Sequence, residues 1–218
     1  REIRIRQFII KMIQNFELNI KNIKGISREE RKLREKSLEL FTKKGFPNKK
    51  IEEWKFTDLE KIITKNFKEI DSIKPISKND KVELIKDFEH NFIILVNGIL
   101  DSSNFKHEDK TKIKISDYKN ENFSSETIVK NSLFDLNNAL YEGGYNLAVA
   151  NNYKFNKPLI VYNYFSDNLN NKIINNKNLI IIDSNSSLDI IEFNLDTSKN
   201  NFIQNNFTNI KIGENSSL

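Results

Sequence analysis

The sequence predicts an α+β protein in which an N-terminal helical domain is followed by the first coils of a parallel β-helix. Three observations support this prediction. Apolar residues recur at helical spacing in the first 90 or so residues. Short apolar runs alternate with Asn-rich turns from Tyr145 onward, and two of these runs are related by an internal repeat.

The clearest helix is predicted over residues 27–44. Ser27 and Glu30 form a capping box at its start, and Gly45 followed by Pro47 ends it. Its expected buried face contains Leu33, Ser37, Leu40 and Phe41. Further helices are predicted over residues 13–24, 81–88 and 125–141. Another is predicted to begin at a second capping box formed by Thr57 and Glu60.

Strands are predicted after residue 91. Residues 92–96 form a buried apolar run, and Asn97-Gly98 is a strong signal for a two-residue hairpin turn. Residues 112–115 alternate as a half-exposed strand. Later strands are predicted at residues 147–150, 159–162, 179–182, 188–193, 202–203 and 210–212.

The internal repeat has a period of 30 residues. The string NSSL occurs at residues 185–188 and again at residues 215–218, and this offset aligns Ile180 and Ile182 with Ile210 and Ile212. Short strands at a fixed period are typical of a solenoid, here a parallel β-helix. A β-sandwich with chance similarity is the alternative that the residues leave open.

Four segments are predicted along the chain. Residues 1–11 are a candidate upstream or non-native extension, because Met12 is the only methionine. Residues 12–91 form the helical domain, residues 92–144 a connecting α/β segment, and residues 145–218 the first coils of the β-helix. We expect this last segment to be truncated and the sequence to be part of a longer protein.

Composition excludes several kinds of site. The chain has no Cys and two His, which excludes disulfides, thiolate-bound metals or clusters, Cys nucleophiles and a His-rich metal site. Six Gly without a phosphate-loop motif exclude a glycine-rich nucleotide site. No apolar run approaches the length of about 18 residues needed to span a membrane. We therefore expect a soluble, cytoplasmic protein with no membrane partner.

The positive charge is expected to carry no function. The net charge is +5, but 35 Lys and Arg are interspersed with 30 Asp and Glu without a long run of like charge. Lys, Asn, Ile and Phe are enriched together, which A/T-rich codons would produce. No specific nucleic-acid partner is therefore predicted.

Two pairs of residues could suggest chemistry. His90 and His107 lie on either side of the predicted hairpin, so they are expected to be exposed to solvent and not to share a metal. Glu52 and Glu53 would point in opposite directions in an extended segment. One of them is expected to form an ion pair or a cap, and Trp54 to anchor a contact with the core.

The C-terminal half offers a few further polar candidates. Its serines Ser184, Ser186 and Ser187 are expected in turns, and its carboxylates Asp183, Asp189 and Glu192 at turns or edges. No catalytic, cofactor-binding or metal-ligating residue is predicted.

Residues 45–59 read GFPNKKIEEWKFTDL. This string combines a helix stop, a lone Trp and a capping Thr, and it resembles the N-terminal signature of the SufD subunits of the SUF iron–sulfur cluster assembly system. Similar strings follow in the family's order at residues 96–98, 136–140, 143–144, 157–160, 185–186, 191–193 and 206–210. The resemblance covers nearly all of residues 25–218 and about the first half of such a subunit.

The resemblance implies a right-handed parallel β-helix behind the helical domain. It also implies a non-catalytic scaffold subunit that pairs with a SufB-like subunit and binds a SufC-like ATPase in the complex that builds Fe–S clusters. This part of the chain is expected to bind no cofactor itself. The family's SufC-binding helices, SufB-pairing strands and cluster-assembly His lie toward its C-terminal half, so no residue role is transferred. Trp54 is expected to be largely buried.

Two other functions are kept as alternatives. A polysaccharide-active β-helix enzyme would need a charged cleft on the coils and a secretion signal. A basic nucleic-acid-binding module would show salt-dependent retention on DNA or RNA.

Overall fold

A computed structural model describes residues 2–72, 82–118, 131–166, 169–196 and 200–218. The described α-helices are α1 (Glu2–Asn22), α2 (Arg28–Lys44), α3 (Leu59–Asn66) and α4 (Ser132–Leu140). Short 3-10 helices lie at Glu52–Trp54 and Lys110–Lys112. The helix predicted over residues 13–24 is therefore the second half of α1. Phe8, Met12, Phe16 and Ile20 recur every four residues and form the stripe of α1 that packs on the core.

The start and the end of α2 are confirmed, but of its predicted buried face only Phe41 is confirmed. The Ser27 hydroxyl accepts a hydrogen bond from the Glu30 amide at 3.0 Å, and Gly45 caps the other end with φ +68°. The buried residues of the helix are Arg34, Leu38 and Phe41. Leu33 and Leu40, which were assigned to the core, are 40% and 37% exposed.

The other helices differ from prediction in identifiable ways. Asp58 rather than Thr57 caps α3, because its carboxylate accepts from the Lys61 amide at 3.0 Å. Residues 82–88 are not helical, and the prediction of a helix there is wrong. Val82 and its neighbours Leu84 and Ile85 instead pack on the outside of a sheet. The helix predicted over residues 125–141 is α4, and residues 125–130 lie outside the described residues.

The described strands form two sheets. Their bounds are β1 (Asp71–Ser72), β2 (Asn91–Val96), β3 (Ile99–Asn104), β4 (Ile113–Asp117), β5 (Tyr145–Val149), β6 (Leu159–Phe165), β7 (Lys172–Ile182), β8 (Ile190–Asp196) and β9 (Phe202–Ile212). Asn97 (φ +52°) and Gly98 (φ +84°) join β2 to β3 in the predicted hairpin. The strands predicted at residues 202–203 and 210–212 are one continuous strand.

Parallel pairing dominates from β5 onward. In the first sheet β7 is central: β5 and the short β1 pair with different halves of it on one side, and β9 pairs along its whole length on the other. In the second sheet the order is β3–β2–β6–β8. The β2–β3 and β4–β5 pairs are antiparallel. Both sheets are therefore mixed, and neither closes on itself.

The register confirms the internal repeat. Ile180 pairs with Ile210, Ile182 with Ile212, and the turn residue Ser187 with Ser217. The turns before these serines are stacked as well, because the Asn215 side chain donates to the Asn185 side chain at 3.3 Å. Asn185 and Asn215 have φ of +58° and +54°, a left-handed conformation that Asn tolerates better than most residues.

The α+β class is confirmed by helices and mixed sheets in one chain. The core that joins them consists of α1, α2, α3 and α4 packed on Ile173 of β7. A second core fills the space between the two sheets. The domain boundaries after residues 11, 91 and 144 stay predictions, and α1 continues across the first of them without a break.

Candidate functional site

A buried charged cluster lies where α2 and α4 meet β7. Arg34 of α2 is 4% exposed. Its guanidinium forms an ion pair with Glu30 at 2.9 Å and donates to the carbonyls of Ala139 and Tyr141 at 3.3 and 2.8 Å. The same guanidinium carbon lies 3.8 Å from the centre of the Tyr141 ring. The Tyr141 hydroxyl donates to Glu30 at 3.0 Å. Arg34 thus joins α2 to the C-terminal end of α4.

Lys177 of β7 enters the same cluster from the sheet. It is 5% exposed, and its ammonium lies 4.4 Å from the centre of the Tyr141 ring. It donates to the side-chain oxygen of Asn138 in α4. Burial, reinforced by the positive charge of Arg34 and opposed by Glu30, lowers the pKa of Lys177 from 10.5 to about 7. A buried amine that titrates near neutral pH therefore sits between the helices and the sheet.

The Lys177 pKa predicts how stability depends on pH. Because the unfolded chain binds the proton more tightly than the folded chain, stability is lowest below pH 7 and increases as the pH rises toward 10.5. We expect the free energy of unfolding to increase by about 2 kcal/mol between pH 7 and pH 9 through this group. Urea unfolding at both pH values measures the change, and Lys177→Met should abolish it. An equal increase in the variant would contradict the assignment.

Glu108 forms a second buried anchor, between the hairpin and the turn before β6. Its carboxylate accepts from the Asn91 side chain at 2.8 Å, the Tyr153 hydroxyl at 2.8 Å, and the backbone amides of Asn156 and Lys157 at 3.0 and 3.1 Å. Burial would raise the pKa of Glu108, but these donors outweigh it and hold the pKa below the usual value of 4.5. The fold therefore favours the charged form of the Glu108 carboxylate.

Replacing Glu108 tests that anchor. Glu108→Gln should lower the free energy of unfolding by about 1–3 kcal/mol, because an amide cannot accept from all these donors. In the native protein this contribution is present above the ordinary pKa of Glu and is lost as the pH falls below it. Chemical unfolding at pH 7 and pH 4 measures both effects. Glu89→Gln is the matched control, because Glu89 forms only an exposed ion pair with Lys157.

The two histidines are not exposed as predicted. His90 is 8% exposed. Its Nδ1 lies 3.0 Å from the Phe88 carbonyl and its Nε2 lies 2.9 Å from the Tyr162 hydroxyl, which also accepts from the Ile85 amide. His90 is a hydrogen-bonded core residue that fixes the segment before β2. His107 is half-buried, and its Nε2 has no hydrogen-bond partner among the described residues.

Glu52 and Trp54 lie in the short 3-10 helix after α2. Glu52 pairs with Lys55 at 2.6 Å, so the expected ion pair is present. Trp54 is only half-buried, and the prediction of a largely buried Trp54 is therefore wrong. The 3-10 helix has no buried residue, which explains why its Trp does not reach the core.

The remaining candidates do not form a site. Ser186 and Ser187 lie in the predicted stacked turns, where the Ser186 hydroxyl donates to the Ala150 carbonyl at 2.9 Å. Asp183 follows β7 and accepts from the Ser184 amide, whereas Glu192 lies in β8 of the other sheet. Within the described ranges, no group of three His, Cys, Asp or Glu residues is placed to hold a metal ion. None of the described helices is long and apolar enough to cross a membrane.

A comparison with known protein families matches most of the region described above. The family model for the SufBD protein N-terminal region matches residues 7–161, which is more than two thirds of the chain. The chain belongs to the SufBD family. The matched region runs from α1 into β6 and contains Glu30, Arg34 and Tyr141, whereas Lys177 lies beyond it. A search of curated proteins found no match. SufBD membership supports a role in Fe–S cluster assembly.

Sequence reasoning missed Arg34 and Lys177, which join the SufBD helices to the sheet. A signal for Arg34 was present, since it lies four and seven residues before Leu38 and Phe41 on one helical face. For Lys177 the sequence offered no such signal, because its partners belong to a helix 36 or more residues earlier in the chain.

Proposed function

We propose that the chain supplies the N-terminal region of a SufD-type scaffold subunit, which acts with SufB-like and SufC-like subunits in Fe–S cluster assembly. The match to the SufBD N-terminal region over residues 7–161 is the observation that carries the proposal. The string at residues 45–59 favours the SufD type over the SufB type within that family. The cluster is the cargo of the assembled complex, and this region holds no cofactor and performs no catalytic step.

The parallel strands support the proposed architecture. From β5 onward the chain alternates between the two sheets, and β7, β8 and β9 each pair in parallel with the strand about one repeat earlier. Strand–crossover–strand units of this kind are right-handed in almost all proteins. We propose that these strands are the first coils of a right-handed parallel β-helix, a rigid platform that the buried cluster at Arg34 fastens to the helical domain.

A scaffold of this kind acts by holding its partners. The described part of the chain contributes a stiff stacked surface, and the ATPase subunit contributes movement at the interface where the cluster forms. We place this work in the cytoplasm, together with the SufB-like and SufC-like subunits.

Co-expression tests the proposal. The tagged protein, expressed from its complete coding sequence, is produced together with the SufB-type and SufC-type subunits encoded in the same genome. We expect all three to co-purify as one complex, and the SufC-type ATPase to be retained when nucleotide is removed. The proposal fails if the tagged protein elutes alone. The SufD assignment fails if the protein instead pairs with a SufD-type subunit in place of SufB.

A further inference from the structure

The structure brings seven basic residues from separate segments of the helical region into one groove. A cavity of about 1020 Å³ lies between the first half of α1, the loop after α2, and α3. Seven basic side chains and two acidic side chains line it, an excess of five positive charges, as large as the net charge of the whole chain. The charge that looked dispersed in the sequence is therefore concentrated in space.

Most of these cations have no carboxylate partner among the residues that the structure describes. Lys11 is paired with Glu69 at 2.9 Å. Within the described residues, no carboxylate oxygen lies within 4.0 Å of the other six, which are Arg4, Lys49, Lys50, Lys61, Lys65 and Lys68. The carboxylate of Asp58 in the lining caps α3 and accepts from the Lys61 amide. The groove therefore presents an uncompensated positive field to a ligand.

The floor of the groove is apolar. Ile5, Phe8 and Phe67 line it between the basic walls, and both Phe rings also pack against the helical core. Two rings that already pack against the core offer a small surface for stacking nucleobases, which is how single-stranded nucleic acids are held. An apolar floor with basic walls fits a peptide that carries apolar side chains on one side and carboxylates on the others.

We propose that this groove docks an acidic amphipathic peptide segment of a partner protein. The proposal goes beyond the scaffold function, since it concerns the helical region and not the surfaces of the coils. The cavity is at the upper end of the volume range of ligand sites, so a short segment fills it. The cations guide and orient the segment, and the apolar floor holds its hydrophobic side chains.

Peptide display on the intact protein tests the proposal. Short random peptides displayed on phage are selected against the wild type, and the affinity of the recovered peptide is measured by fluorescence anisotropy. We expect sequences rich in Asp, Glu and large apolar residues. Lys49→Glu/Lys61→Glu reverses one charge on each wall and should weaken binding at least about tenfold. Ile5→Ser, which removes an apolar group from the floor, should weaken binding several-fold.

A charge-matched variant is the control. Lys24→Glu/Lys32→Glu changes one loop lysine and one helix lysine, both exposed and outside the groove, and should bind within about twofold of the wild type. The proposal is overturned if no acidic peptide is enriched, or if both double variants bind equally. It is also overturned if a single-stranded oligonucleotide binds more tightly than the peptide and loses affinity in the groove variant. Co-purification with the SufB-type and SufC-type subunits should be unchanged in all variants, so this test is separate from that of the proposed function.

Discussion

Arg34→Met should lower the free energy of unfolding by about 3–5 kcal/mol. The substitution leaves the Glu30 carboxylate without its cation, removes the donor to two carbonyls at the end of α4, and removes the cation from the Tyr141 ring. Unpaired charges and acceptors in a buried site account for losses of this size. The measurement is equilibrium urea unfolding followed by circular dichroism at pH 7.

Three further variants make the Arg34 result specific. Arg28→Met is the same change at an exposed position of α2 and should alter stability by less than about 0.5 kcal/mol. The double variant Glu30→Gln/Arg34→Met removes both charges and should be more stable than Arg34→Met alone. Lys177→Met should be neutral or stabilising at pH 7, because it replaces a cation whose burial lowers its pKa. An Arg34→Met protein as stable as the wild type would show that the cluster does not fasten α2 to α4.

Gly144→Ala should be the most damaging small substitution in the connection between α4 and β5. Gly144 has φ of +116°, and a Cβ there would overlap the Lys177 carbonyl of β7. Neither backbone can move freely, because Gly143 forms a bridge with Asn176 and the Lys177 amide donates to the Gly143 carbonyl at 3.0 Å. We expect a loss of more than about 3 kcal/mol, measured as a lower urea midpoint.

Gly25→Ala separates the two causes of the stability loss expected in Gly144→Ala, which are the positive φ and the overlap with a neighbouring backbone. Gly25 also has a positive φ, +76°, but nothing lies within 4 Å of the position of its Cβ. The free energy of unfolding of Gly25→Ala should therefore fall only by the backbone cost of about 1 kcal/mol. The additional loss of stability in Gly144→Ala then measures the cost of placing a Cβ where two backbones approach closely. Equal losses in the two variants would contradict that interpretation.

The sequence predicted those elements that are specified by residues close together in the chain. The Ser27 cap, the Gly45 stop and the Asn97-Gly98 turn depend on contacts within a few residues, and all three are confirmed. The 30-residue repeat was visible because the stacked turns need the same residue types at the same positions. The Glu52 ion pair is equally local.

Contacts between distant residues account for the errors. Arg34 donates to carbonyls 105 and 107 residues away. Apart from its position on the apolar face of α2, nothing nearby in the sequence indicated that it would be buried. His90 is buried and forms a hydrogen bond with the hydroxyl of Tyr162, 72 residues later in the chain. The groove combines cations from three separate segments, and no run of like charge in the sequence indicated it.

The Asn-rich half of β7 shows a third kind of error. The sequence predicts only residues 179–182 of β7 as strand. Residues 172–178, which it does not predict as strand, contain three Asn, a residue type that is depleted in strands. In the structure the Asn205 side chain donates to Asn175 at 2.9 Å, and the Asn178 side chain donates to Asn206 and Thr208 at 3.3 and 3.2 Å. Side-chain amides on neighbouring strands thus bond to one another, which single-residue preferences cannot express, although within the described residues Asn175 Nδ2 and both polar side-chain atoms of Asn176 are buried without a partner.

The position of β7 between three strands has a consequence for how the molecule unfolds. β7 pairs with β1, which follows the helical region, with β5 and with β9. In stacked repeats, stability spreads from neighbour to neighbour along the array. A loss confined to β9 should fray one end and leave protection against hydrogen exchange elsewhere intact. A loss in β7 removes the one strand that, among the described strands, pairs with all three of these partners, and the helices and the sheets then unfold as separate cooperative units.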